Sequence, residues 1–163
     1  MVAVSPAGPL DATDHTDATG VHKALRPLTV LQVLPRLDLG GVERGALEIA
    51  RAITAAGGRA LVASAGGRLG VRPFDSKNPL TILGNAGRLA TLIRAEGVDV
   101  VHARSRAPGW SAGLAARRTA TAFVTTWHGV YSERDPFKRL YNSVMARGRP
   151  TIAISEFVKE LVI

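Results

Sequence analysis

Short, nearly continuous apolar runs alternate along this chain with longer stretches whose apolar residues recur every three or four positions. Leu28–Pro35 (LTVLQVLP) is one such run, the pattern of a strand covered on both faces of a parallel sheet. After a Gly-bearing turn, Asp38-Leu39-Gly40-Gly41, the spacing of Val42, Ala46, Ile49, Ala50 and Ile53 predicts a helix from Val42 to Ala56, stopped by Gly57-Gly58. Arg59–Ser64 reads as a second buried strand. Asn78-Pro79 pairs a cap residue with Pro at the first helical position and opens a helix with Leu83, Ala86, Leu89 and Ile93 as its stripe, ended by Gly97. Val98–Ala103 is the next strand. A small-residue helix over Gly109–Thr119 and a strand over Ala122–Thr126 follow. Asp135-Pro136 repeats the cap-plus-Pro device before a helix carrying Phe137, Leu140, Tyr141, Val144 and Met145 and closed by Gly148. Pro150–Ile154 is a last strand, and Ser155 caps a final helix.

This alternation predicts an α/β fold: a Rossmann-like parallel sheet with helices on both faces. Between Ser64 and Pro73 the sequence is too short for a crossover helix, since parallel neighbours need a connection of about a dozen residues. One crossover helix is therefore expected to be missing after the second strand, and a strand near Val71–Phe74 either pairs irregularly or is lost. Residues 1–27, rich in Ala, Thr, Asp, Gly and Pro and without periodicity, read as a disordered leader. Residues 28–163 then form one domain, within the usual size for a single core.

Composition narrows the chemistry. With no Cys, disulfide scaffolds and thiol catalysis are excluded. The net charge is +8, with 17 Arg against 4 Lys, and residues 104–163 hold ten basic and four acidic side chains. That balance suits an anionic partner such as a nucleotide, a phosphate or an acidic membrane surface. Nucleic acid is disfavoured, because eight aromatic residues give little base-stacking surface. No apolar run approaches the roughly 20 residues that span a bilayer, and the start lacks the features of a signal peptide. A cytoplasmic chain, peripheral at the inner face of a membrane, is the expectation.

In an open α/β sheet, ligands bind beyond the carboxyl ends of the strands, and the polar residues of this chain gather in four such loops. In the first, Gly40 and Gly41 let the backbone amides of Gly40–Glu43, including Val42 and Glu43, approach an anion at a helix N-terminus. It is not a dinucleotide fingerprint or a Walker loop, and no acid ends the second strand, so NAD is disfavoured. The alternative is a plain tight turn. In the second loop, Arg104, Ser105 and Arg106 could fork onto a carboxylate or phosphate, or simply be solvated. The third places His128, after Trp127 and before Gly129, for hydrogen bonding or acid–base work on a substrate, though a lone His is also a common structural donor. His102 reads as a buried strand-end residue. The fourth offers Ser155 and Glu156, for which plain N-capping is the competing account. No metal-ligand cluster or paired carboxylates emerge, and neither metal nor resident cofactor is expected.

Taken in order, VLQVLPRLDLGGVERGALEIARAI, SAGG, PFDSKNPL, VDVVHARSRAPGWSA, FVTTWHGVY and AISEFV resemble the N-terminal domain of a family 4 glycosyltransferase of the GT-B fold. The resemblance runs from Leu28 to Ile163. It implies transfer of a sugar from a nucleotide-sugar donor to a saccharide or lipid-linked acceptor, often in envelope polysaccharide or lipopolysaccharide synthesis. Such enzymes face two Rossmann-like domains across a cleft, the first binding acceptor and the second the donor. By the same resemblance Gly40 and Gly41 match the loop approaching the donor diphosphate, His128 a catalytic cleft position contacting the transferred sugar, and Arg104, Ser105 and Arg106 an acceptor-side loop. These 163 residues alone, without a donor domain, are expected to be inactive or nearly so; a non-catalytic sugar- or phosphate-binding module is the alternative.

Overall fold

The computed structural model describes residues 2–3, 26–35, 41–65, 74, 76–129, 131 and 135–162. Five strands are mutually parallel: β2 (Thr29–Val33), β3 (Arg59–Ala63), β4 (Val100–Ala103), β5 (Ala122–Trp127) and β6 (Thr151–Ala153). A two-residue strand, β1 (Val2–Ala3), pairs antiparallel with β3 at the outer edge, giving the order β1-β3-β2-β4-β5-β6. The helices are α1 (Gly41–Ala55), α2 (Pro79–Glu96), α3 (Arg106–Thr119), α4 (Pro136–Asn142) and α5 (Glu156–Val162). The expected α/β sheet is therefore present, with β2 and β4 as its central pair. The 1–27 leader lies mostly outside the described residues; within it are β1 and Arg26, which pairs with Asp99 at the start of β4.

Strand alternation assigns the two faces. Leu31 and Val33 of β2 lie in register with Leu61 and Ala63 of β3 and with Val101 and Ala103 of β4. All are buried against Leu89, Leu92 and Ile93 of α2 and Ala112, Ala115 and Ala116 of α3. Burying each of the larger aliphatic side chains contributes about 1.5–3 kcal/mol. The alternate positions face α1, where Val62 and the strand-end Leu34 meet Val42 and Ala46. Small residues on α3 let it run close to α2.

After β3 the chain passes through residues 64–78 and α2 before entering β4, on the far side of β2. Among the described residues no strand intervenes. Positions 71–73 of the strand expected near Val71–Phe74 lie outside the described residues, and Phe74 is a turn residue buried in the main core. Two helix boundaries also differ from the periodicity. Helix α3 begins at Arg106, three residues before Gly109, because Pro108 falls in its first turn, where a missing N–H costs nothing. The helix opened by Asp135-Pro136 gives way to a 3-10 turn over Ser143–Arg147. The carbonyl of Met145 there accepts from the Thr125 hydroxyl (2.5 Å) and the Trp127 indole (3.3 Å), so the backbone is drawn toward the sheet and out of the α-helical pattern.

The C-caps show what the local sequence has optimised. Gly97 ends α2 in the left-handed region at φ 59°, whereas Ala120 ends α3 at φ 53° and carries the Cβ penalty. Ala120→Gly is expected to stabilise the chain by about 0.5–1 kcal/mol, read as a higher urea midpoint at unchanged slope.

His102 on β4 is buried on the α1 face, with Nε2 2.6 Å from the hydroxyl of Thr126 on β5. Burial, reinforced by the nearby charges of Arg104 and His128, pulls its pKa from 6.5 to about 4. The folded chain holds this imidazole neutral to lower pH than the unfolded chain, so the unfolded state gains protons first as pH falls through 6.5. Stability is therefore full above that value and declines toward pH 4, with a loss of roughly 2 kcal/mol between pH 7.5 and 5. Denaturant unfolding at the two pH values should show this loss, and His102→Gln should remove most of it.

Candidate functional site

Because β2 to β6 are parallel, their carboxyl ends emerge along one rim, and the backbone laces that rim together. Leu34 donates to Ala63 (2.9 Å), Arg104 to Val33 (3.3 Å) and Ile154 to Trp127 (3.3 Å). Residues just past these ends belong to the same edge of the sheet but divide between its two faces.

On the α1 face the central group is Arg104, only 4% exposed. Its Nη1 donates to Gln32 Oε1 (3.2 Å), and Gln32 in turn donates through Nε2 to the Ala46 carbonyl of α1 (2.7 Å). Gln32, the next-to-last residue of β2, is fully buried. The guanidinium lies so close to α1 that a Cβ at Gly45 would stand 2.7 Å from Nη2; glycine is what lets it fit there. Burial lowers the Arg104 pKa, and the carboxylate of Glu48 opposes that shift. His128, half-buried at the end of β5, is also shifted down by burial and then by Arg104, with Glu43 in the first turn of α1 acting the other way. Arg104 Nε and His128 Nε2 are both buried without a hydrogen-bond partner among the described residues. Two polar groups thus lie near the α1 N-terminus and the β4 and β5 ends, where backbone amides and the helix dipole also favour an anion or a polyhydroxy ligand.

On the other face Arg106 takes a different course. Its Nη1 donates to the buried Asn142 Oδ1 (2.9 Å), and its guanidinium stacks 3.8 Å from the centre of the Tyr131 ring. Arg106 and Tyr131, with Lys77, Ser105, Lys138 and Tyr141, line a cavity of about 400 Å³. Arg104 and Arg106 therefore do not fork onto one ligand: strand alternation would put residues two apart on the same face, but Arg106 is the first residue of α3 and its side chain leaves toward the opposite face.

The remaining expected residues separate by role. Gly40 lies outside the described residues; Gly41 starts α1 in open space, and Val42 packs in the α1 core. Trp127 is buried, bonded to Met145 and packed 5.1 Å from Tyr131. Ser155 accepts from the Val158 amide (3.2 Å) as a cap, and exposed Glu156 pairs with Lys159 (2.9 Å). Gln32, Lys77, Tyr131, Lys138 and Asn142 were not singled out from the sequence. Only Gln32 carried a signal, as a polar residue inside an otherwise apolar strand. Among the described residues no group of three His, Asp or Glu could hold a metal ion, and no helix is long and apolar enough to cross a membrane.

Residues 39–163 match the model of Glycosyltransferase Family 4. The fold matches a crystal structure of a glycosyltransferase from Rickettsia africae ESF-5 with a TM-score of 0.67 and 40% sequence identity, over 83% of this chain and 39% of that one. The chain thus spans well under half the length of the solved relative. No curated protein matches. The family match over three-quarters of the sequence and the identity along a shared parallel sheet place this chain in glycosyltransferase family 4.

Proposed function

We propose that this chain supplies the acceptor-binding side of a sugar-transfer site, in which a sugar moves from a nucleotide-sugar donor to a saccharide or lipid-linked acceptor. The observation that carries this reading is the gathering of the α1 N-terminus, Arg104 and His128 at one stretch of the rim, with two buried polar atoms there lacking partners among the described residues. In such a transfer the acceptor hydroxyl attacks the anomeric carbon while the nucleoside diphosphate departs with the bonding electrons. Stabilising the departing charge is the largest demand on the protein. In this reading the α1 N-terminal amides and the buried Arg104 contribute to it. His128, its pKa lowered, is neutral near pH 7 and suited to hydrogen-bond a sugar hydroxyl. Arg139 beside the exposed Phe137 and Leu140 of α4 would suit an acceptor held at an anionic membrane surface, at its cytoplasmic side.

The 163 residues assayed by themselves should release nucleoside diphosphate from nucleotide sugars only at background rates. Joined to the donor-binding domain of a family 4 enzyme, they should support donor-dependent release. His128→Ala should then lower kcat by about 10²-fold. A fusion that turns over equally well with alanine at this position would sink the role given to His128, and a fusion inert toward every nucleotide sugar would sink the reading itself.

A further inference from the structure

We propose that the cavity on the α3–α4 face is an oxyanion site that takes a phosphate group carried by the acceptor, with Lys77, Arg106 and Lys138 as its counter-ions. This rests on the acceptor-side reading above and names the chemistry of the group bound. Three cations line one cavity of about 400 Å³. The ion pairs among the described residues, Arg26–Asp99, Arg59–Glu96 and Lys159–Glu156, involve none of them. Cations gathered in one concavity repel each other, and two aromatic rings partly offset this. Arg106 lies over Tyr131 and 5.7 Å from the Tyr141 ring, and Lys77 lies 5.6 Å from that same Tyr141 ring. Ring quadrupoles attract cations without neutralising them, so the described lining residues keep their positive charge.

Arg106 is also set in place ahead of any ligand. The buried Asn142 holds one end of the guanidinium at 2.9 Å, and the Tyr131 face holds its plane. The rest of the fork has no partner among the described residues, the state in which a guanidinium binds an oxyanion bidentately. The two lysines are exposed and act as mobile point charges at the rim. A dianionic phosphate balances such a trio better than a single carboxylate. Arg106 is half-buried in a concavity, which a discrete group enters more readily than the plane of a membrane surface.

Calorimetric titration of the full chain with inorganic phosphate, glucose 1-phosphate and glucose tests the idea, with vesicles rich in phosphatidylglycerol as a separate arm. Glucose 1-phosphate should bind more tightly than phosphate and weaken with salt, and glucose should give no heat. The double variant Lys77→Gln/Lys138→Gln, whose changes lie at exposed positions, should fold with an unchanged melting midpoint and bind glucose 1-phosphate about tenfold more weakly or worse. Arg106→Lys, which keeps the charge and loses the fork, should also weaken binding. Equal binding of glucose and its phosphate, or undiminished affinity in the double variant, would overturn the proposal. Binding to anionic vesicles with no affinity for either soluble phosphate would overturn it too and give the cations to a lipid surface. These readouts need no turnover, so an inert fusion protein with intact phosphate binding would remove the transfer reading and with it the acceptor as the phosphate's carrier, leaving the phosphate site itself.

Discussion

A guanidinium taken out of water costs several kcal/mol unless its surroundings replace the lost solvation, and the geometry of the candidate site follows from how Arg104 meets that demand. Gln32 accepts from it and passes the constraint on, through its own amide, to the backbone of α1. One polar chain thereby ties β2, β4 and the first turns of α1 together from within. The helix that offers its N-terminus to the rim is held in place by the same residue whose charge bears on His102 and His128. Gly45 belongs to this arrangement, since a side chain there would occupy the space of the guanidinium.

The two faces of the sheet are used differently. The α2–α3 side is an apolar core of aliphatic and alanine contacts, and it supplies rigidity. The α1 side carries buried polar groups in a row: Gln32, His102, Arg104 and Thr126. Buried polar rows of this kind add little net stability but fix distances, because each group has few ways to be satisfied. The rim inherits that fixity. Beyond it, on the α3–α4 side, Tyr131 joins the two regions: it packs on Trp127, stacks with Arg106 and interacts with the His128 backbone.

A family 4 glycosyltransferase domain can vary its ligand chemistry at such a rim without disturbing the sheet, since strand registers depend on the aliphatic side and side-chain chemistry on the loops. The split of Arg104 and Arg106 is an instance. Two residues apart in sequence, one serves the polar interior under α1 and the other a basic, tyrosine-walled cavity opposite. The extra turn at the start of α3 decides this by making Arg106 the first helical residue, beside the N-cap Ser105.

The order and type of the elements from Thr29 to Val162 were legible in the sequence, because runs buried on both faces and three-to-four spacing are local patterns, punctuated here by Asn78-Pro79, Gly97 and Asp135-Pro136. The loops that would form the rim were legible too, since parallel strands must end on one side. What only the tertiary structure decided is which loop residues meet. Gln32 looked like an interruption in an apolar strand and proved to anchor Arg104; Trp127 and Val42 proved to be packing residues; Lys77, Lys138 and Tyr141, far apart in the chain, converged with Arg106 on one cavity. Such convergence depends on the crossing of helices over a sheet and on which face a side chain leaves from. Those are long-range properties, and local periodicity does not encode them.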